Sequence, residues 1–224
     1  MKKIVLAAVL LLTGILLTGC TAMKRAKIEE RFSRISEVYP TANAEDLFKK
    51  FPKGVKVRHL MYQDENVVHE ILLEGYPSKE KIEGTYIKTI YKDPALSADE
   101  VTKIPISYSD KDGVQALDGQ ILDSKVRNVK FFFTNMMMDA ELLKEFQLDF
   151  ITENPVSRTY SIGYQDVQNK MLNQYIGLSP DEKLNLELFG DPKFDRKDKY
   201  FIGISVKAAG DSLLEYFSEI IEEK

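Results

Sequence analysis

One cysteine, no tryptophan and two histidines leave this 224-residue chain few ways of doing chemistry. A single thiol excludes a disulfide, a cysteine-rich metal cluster and a dithiol redox pair, so stability must come from the core. The 44% of apolar residues is ordinary for a globular fold, and the length suits one domain. Basic residues are outnumbered: 31 Lys and Arg face 35 Asp and Glu, a formal charge of -4. Nucleic-acid binders displace counterions with a basic face, so nucleic acid is not an expected partner. There is no Gly-x-Ser-x-Gly elbow, no phosphate-cradling glycine loop and no His-Glu-x-x-His pair. Acidic pairs for glycoside hydrolysis could be drawn from the many carboxylates, but nothing selects two of them. No catalytic constellation can be assembled from named residues, and the chain reads as non-enzymatic and without a cofactor.

Long apolar runs are also lacking, except at the start. Lys2 and Lys3 precede an uncharged stretch from Ile4 to Leu17, which is followed by Thr18, Gly19 and Cys20. The stretch has the length of a signal h-region, short of the roughly 20 residues that span a bilayer as a helix. It reads as a bacterial lipoprotein signal peptide over residues 1–19. The small Gly19 precedes the cut, and the Cys20 thiol becomes the site of a diacylglyceryl thioether. Each buried methylene contributes about 0.8 kcal/mol, and two acyl chains turn marginal binding into stable anchoring. The mature protein is therefore expected on the extracytoplasmic face of the cell membrane, attached through its N-terminal lipid. Residues 20–27 read as a tether with Lys24, Arg25 and Lys27, serving either anionic headgroups or only solvation.

A globular domain is expected over 28–206. Ile28, Phe32, Ile35 and Tyr39 recur at helical spacing before Pro40, and Asn43 begins a second short helix carrying Leu47 and Phe51. The period then changes to alternation. Val55, Val57, His59 and Met61 pair as a hairpin with Val67, His69, Ile71 and Leu73. Ile82 to Tyr91 adds a strand, and Ile104 to Tyr108 with Val114 to Leu117 flanks the turn at Asp110 to Gly113. Asp123 to Asn135 reads as a buried helix, although Val129 to Phe133 alone would suit a strand. Asp139 caps a further helix, Val156 to Tyr164 is extended, and Gln165 to Ile176 is helical up to Gly177. Leu184, Leu186 and Leu188 alternate, with Tyr200 to Val206 as their partner strand. Residues 207–224 read as an amphipathic helix: Leu213, Leu214, Phe217, Ile220 and Ile221 share one helical face, most economically packed on the domain. The fold class expected is α+β, an antiparallel sheet of two or more hairpins packed with helices, plus the C-terminal helix.

His59 and His69 are the only histidines, and as a pair they invite a metal. A three-residue loop would set them opposite one another, but their neighbours Val57, Met61, Val67 and Ile71 supply no further ligand. Two partly buried, hydrogen-bonded sheet histidines are the better reading, with no metal site. Asp110, Asp112 and Gly113 echo a calcium loop but lack its third acid, its glycine position and its distant Glu, so a hairpin turn is preferred. Asp191, Asp195 and Asp198 interleave with Lys193, Arg196 and Lys197 as in a solvated loop.

Several short pieces together resemble one family: the lipobox Leu17 to Cys20, the first helix running into Tyr39-Pro40, the segment Asn43 to Phe48, the Asn128 to Phe132 run, and the Tyr160 to Tyr164 strand leading to the helix around Gln168 to Tyr175. They resemble the tandem-type lipoproteins of staphylococci, also called the conserved staphylococcal antigen family. The resemblance implies an α+β surface antigen with no catalytic residue and no cofactor, whose lipidated N-terminus innate immune receptors sense and some of whose members are associated with host-cell entry. Only Cys20 carries over as a functional position. The chain departs from the family in lacking a tryptophan in its early strands and in the added helix Asp211 to Lys224. A non-enzymatic interaction with a protein or host partner is thus expected, or else binding of a small ligand or envelope component as accessory to a transport or secretion system.

Cys20→Ala is expected to abolish metabolic labelling with a lipid precursor and to release or mislocalise the protein. Full labelling of that variant would remove the proposed anchor.

Overall fold

The computed structural model describes residues 22–39, 41, 43–64, 66–76, 82–92, 98–191, 200–209 and 216–224. The expected signal peptide, Gly19 and Cys20 lie outside the described residues, as does most of the Asp191 to Asp198 turn.

Ten strands form a single antiparallel sheet: β1 (Val55–Asp64), β2 (Val67–Gly75), β3 (Ile82–Ile90), β4 (Glu100–Ser109), β5 (Gly113–Ala116), β6 (Gln147–Asn154), β7 (Thr159–Val167), β8 (Leu184–Asp191), β9 (Phe201–Ala208) and β10 (Tyr216–Glu223). Their spatial order is β5-β4-β3-β2-β1-β10-β9-β8-β7-β6. Two meanders, β1 to β5 and β6 to β10, therefore meet where the last strand pairs with the first. Because side chains alternate along each strand, one cross-strand row can be followed through nine strands: Ile151, Ile162, Leu188, Ile204, Glu219, His59, Ile71, Tyr86 and Ile104. The row belongs to the covered face, where Ile162, Leu188, Ile204 and Ile71 are fully buried. Charged side chains stand on the other face, with Lys56 paired to Glu74 at 3.7 Å and Arg58 paired to Glu70.

Short helices and their connections cover the apolar face. They are α1 over 22–31, α2 (Glu45–Lys50), α3 (Ser124–Arg127), α4 (Phe132–Asn135), α5 (Ala140–Glu145) and α6 (Lys170–Ile176), with a 3-10 turn at Ile35–Glu37. The stripe Ile28, Phe32, Ile35 and Tyr39 is buried as its spacing predicts. The helix carrying it starts earlier and ends earlier than expected, giving way to turns after residue 31. Asn43 and Asp46 exchange hydrogen bonds at the start of α2, the Asn43 N–H donating to the Asp46 carboxylate and the Asp46 N–H to Asn43 Oδ1. Asp139 Oδ1 accepts from the N–H groups of Glu141 and Leu142 to cap α5, and Gly177, at φ 84°, closes α6 in the left-handed conformation.

Three expectations are corrected here. The fold is largely β, with few and short helices, rather than α+β with helices as a second layer of comparable weight. In the C-terminal segment, Lys207 and Ala208 end β9 and Tyr216–Glu223 is strand β10, at the centre of the sheet, and not a helix; Leu213 and Leu214 lie outside the described residues. Phe217, Glu219 and Ile221 satisfy a period of two as well as Phe217, Ile220 and Ile221 satisfy a helical face, and two strand edges were available to hydrogen-bond it on both sides. Asp123 to Asn135 is two single helical turns, α3 and α4, separated by extended backbone at Phe131. Strand β6, too polar on its exposed face to signal itself, was not foreseen.

The tether reading changes in one respect. Residues 22–27 are helical, and Arg25 is turned into the domain. Its Nε donates to Glu29 at 2.8 Å, and its Nη2 donates to the carbonyls of Leu143 and Phe146, each at 3.1 Å. Arg31 stacks over the Tyr160 ring at 3.9 Å, a desolvated cation–π contact. Lys24 and Lys27 remain exposed.

Ile221 is fully buried and Ile220 lies on the opposite side of β10, half-buried. Ile221→Ala is expected to cost about 2–4 kcal/mol in urea denaturation, and Ile220→Ala clearly less, whereas one shared helical face would make the two similar.

Candidate functional site

The middle of the cross-strand row is occupied by two polar residues, Glu219 of β10 and His59 of β1. Glu219 is 0% exposed and His59 1%. A buried carboxylate costs several kcal/mol unless donors converge on it. Three do: His59 Nδ1 approaches Oε2 at 3.0 Å, the Phe132 N–H donates to Oε2 at 2.8 Å, and the Phe133 N–H to Oε1 at 2.8 Å. An ionised carboxylate is acceptor only, so His59 carries its proton on Nδ1 and donates it.

The Phe131-Phe132-Phe133 run supplies the backbone half of this site. Phe131 is extended, at φ -79° and ψ 144°, and precedes the first turn of α4, where amide N–H groups lack helical partners. Its ring and that of Phe132 stand edge-on to His59, with centroids 5.3 and 5.4 Å away. A continuous helix across the run would have bonded those amides internally. Tyr39 and Tyr175 lie close enough to feel the carboxylate: burial first, then the charge of Glu219, pushes both phenols well above their ordinary pKa. Both stay protonated, and Tyr175 donates to the Lys130 carbonyl.

The two histidines do not face each other. A bulge between Tyr62 and Asp64 sets Met61 opposite His69 and His59 opposite Ile71, two residues from the expected register. The facing of the side chains survives because a shift by two preserves parity. His69 Nδ1 hydrogen-bonds the Tyr86 hydroxyl at 2.7 Å, and burial, followed by the charge of Asp123, pushes that phenol up to about 12. Both histidines are buried and hydrogen-bonded, and among the described residues no group of three or more His, Cys, Asp or Glu could hold a metal ion. Asp110 is a strut of its turn: it accepts from the Ala44 N–H and from the Tyr108 hydroxyl, each at 2.8 Å.

Beside His59 a cleft of about 460 Å³ opens between the sheet and its cover. Met61 and Phe217 line the sheet side, and Val129, Tyr175 and Ile176 the cover. Lys125 and Lys130, both exposed, stand at the rim. With Nδ1 committed to Glu219, Nε2 is the His59 nitrogen left to the cleft. Neither the cleft nor Glu219 was anticipated. The only sequence signal was an acid at the middle of the alternating run Phe217, Glu219, Ile221, which a helical reading places on the polar side.

The fold and site define an antiparallel-sheet protein with one covered face, a buried acid–histidine pair and an adjoining cleft. No family model matches the chain. It is 26% identical over 196 residues to an uncharacterized lipoprotein of Staphylococcus epidermidis, covering 77% of this chain and 74% of that protein. It is 25% identical over 258 aligned residues to uncharacterized lipoproteins of two Staphylococcus aureus strains, covering all of this chain and 97% of each relative. The similarity supports a lipoprotein family and, with it, attachment to a membrane through a lipid. Among the described residues no helix is long and apolar enough to cross a membrane.

Glu219→Ala leaves the Phe132 and Phe133 amides and the His59 imidazole without their acceptor. It is expected to destabilise the protein by about 3 kcal/mol or more in chemical denaturation, against about 0.5 kcal/mol or less for the half-buried Glu222→Ala.

Proposed function

We propose that this chain is a surface lipoprotein of the tandem type, anchored through diacylated Cys20 on the extracytoplasmic face and acting by binding rather than catalysis. The observation that carries the reading is the lipobox at Leu17 to Cys20, placed at the head of a chain that is similar to staphylococcal lipoproteins along its length. The histidine–carboxylate pair supports a non-catalytic role. Among the described residues His59 hydrogen-bonds Glu219 alone, and Glu219 is engaged in holding the start of α4. A nucleophile activated by such a pair would sit within hydrogen-bond reach of the free imidazole nitrogen.

A second reading, a small-ligand or envelope-component binding lipoprotein, is favoured by the cleft. Its volume of about 460 Å³ lies within the roughly 300–1,000 Å³ typical of ligand sites, and its walls are apolar with a few polar groups.

Both readings expect antibody or impermeant-reagent labelling of intact cells carrying the protein, lost in a Cys20→Ala strain, and no turnover of ester, peptide or glycoside substrates by the purified lipoprotein. Labelling only after cell lysis would overturn the surface assignment, and saturable turnover would overturn the binding role.

A further inference from the structure

The cleft differs in charge from the chain around it. Acids outnumber bases overall, yet its lining contains Lys125, Lys130 and His59 and no carboxylate. Neither lysine has an ion-pair partner among the described residues. Asp123, the acid nearest to Lys125 in sequence, accepts from the Lys125 N–H as the cap of α3. Glu219 lies behind His59 with both oxygens occupied by the cover and the imidazole. Apolar side chains line both walls of the cleft: Met61 and Phe217 on one side, Val129 and Ile176 on the other.

We propose that the cleft between β1, β10, α3 and α6 binds an anionic amphiphile, a single acyl chain headed by a carboxylate, with the chain against Met61, Phe217, Val129 and Ile176 and the head at Lys125 and Lys130. The inference rests on the second reading above and names its ligand class. Charge complementarity decides the class. A wholly apolar ligand would gain nothing from the two ammonium groups at the mouth, and a small hydrophilic anion would leave the apolar walls wet. His59 is held in one orientation by Glu219 and keeps the inner wall rigid while presenting a single polar atom. An aromatic and aliphatic slot with a cationic rim recognises a head and a tail together, and orients the ligand.

The test uses the mature lipoprotein in nanodiscs, titrated with octanoate, octanol or acetate and followed by calorimetry after subtraction of empty discs. Lys125→Ala/Lys130→Ala is the variant. Both lysines are exposed, and the bilayer background is the same for both proteins. Octanoate is expected to bind saturably, with affinity falling about tenfold in the variant, while octanol binds more weakly to both proteins and is unaffected by the substitutions. Acetate is expected not to compete. Equal binding of octanoate and octanol, unchanged in the variant, would overturn the anionic head while leaving cleft binding in place. Competition by acetate would overturn the apolar chain. No saturable binding of either octyl compound would overturn this proposal and the ligand-binding reading together, and the lipid anchor would stand or fall separately.

Discussion

A single carboxylate sets the terms for this fold. Glu219 stands beside His59 in the middle of a largely apolar cross-strand row, and it can be there only because three donors from two other parts of the chain meet it. Those donors fix more than the acid. The two amides fix where α4 begins, the imidazole fixes how β1 faces the cover, and Glu219 itself fixes β10 in register between β1 and β9. Removing a charge from water is costly whatever follows, so the arrangement contributes specificity more surely than net stability. A sheet with a purely apolar row could slide its cover along the row. This one admits a single seat, where the Phe131 to Phe133 segment comes down on β10.

The same constraint explains why the ends of the chain matter so much. β1 and β10 are the innermost strands of the sheet and are nearly the first and last elements in sequence. Each meander is local, built from neighbouring hairpins, while the seam joining them closes a loop of most of the domain. Contacts of that separation form late and slowly, since loop closure must precede the energy they return. The seam carries compensating features. It pairs seven residues in regular antiparallel register, it is flanked by Ile221 against Val57, and it contains the buried hydrogen bond between His59 and Glu219.

Much of the sheet was legible because alternation is a strong signal where one face is covered and the other wet. Val57, His59 and Met61, or Leu184, Leu186 and Leu188, can hardly be anything else. The turn at Asp110 and the cap at Asp139 were legible for the same kind of reason, since each is a local hydrogen-bond pattern written within a few residues. What could not be read was decided at a distance. Phe217 to Ile221 fits two periods equally well, and only the presence of two open edges makes it a strand. Val129 to Phe133 is apolar enough for a helix, and only a carboxylate 86 residues away draws its amides outward. The histidine register failed by two residues because a bulge at Tyr62 to Asp64 has no separate signature in so polar a turn. The site was hidden with these elements, because its acid, its capping amides and its histidine belong to three segments that no local pattern connects.

The first helix bears on how an anchored domain of this kind would sit at a membrane. Arg25 grips the α5 end through three carbonyls, Arg31 lies on Tyr160, and the Tyr164 hydroxyl donates to Glu29 at 3.2 Å, so α1 is fastened to β7 and to the end of α5 along its length. Only Thr21 separates Cys20 from the helix that begins at residue 22, and two residue steps reach at most about 7 Å. A lipid carried at Cys20 would therefore pull on a fixed element of the domain rather than on a long leash. The exposed Lys24 and Lys27 would be held next to the headgroups, while Arg25, the third charge of the expected tether, has already been taken up by the fold. With so short a connection, a lipid at Cys20 would hold α1, and the sheet it is fastened to, near the bilayer rather than let the domain sample a wide volume.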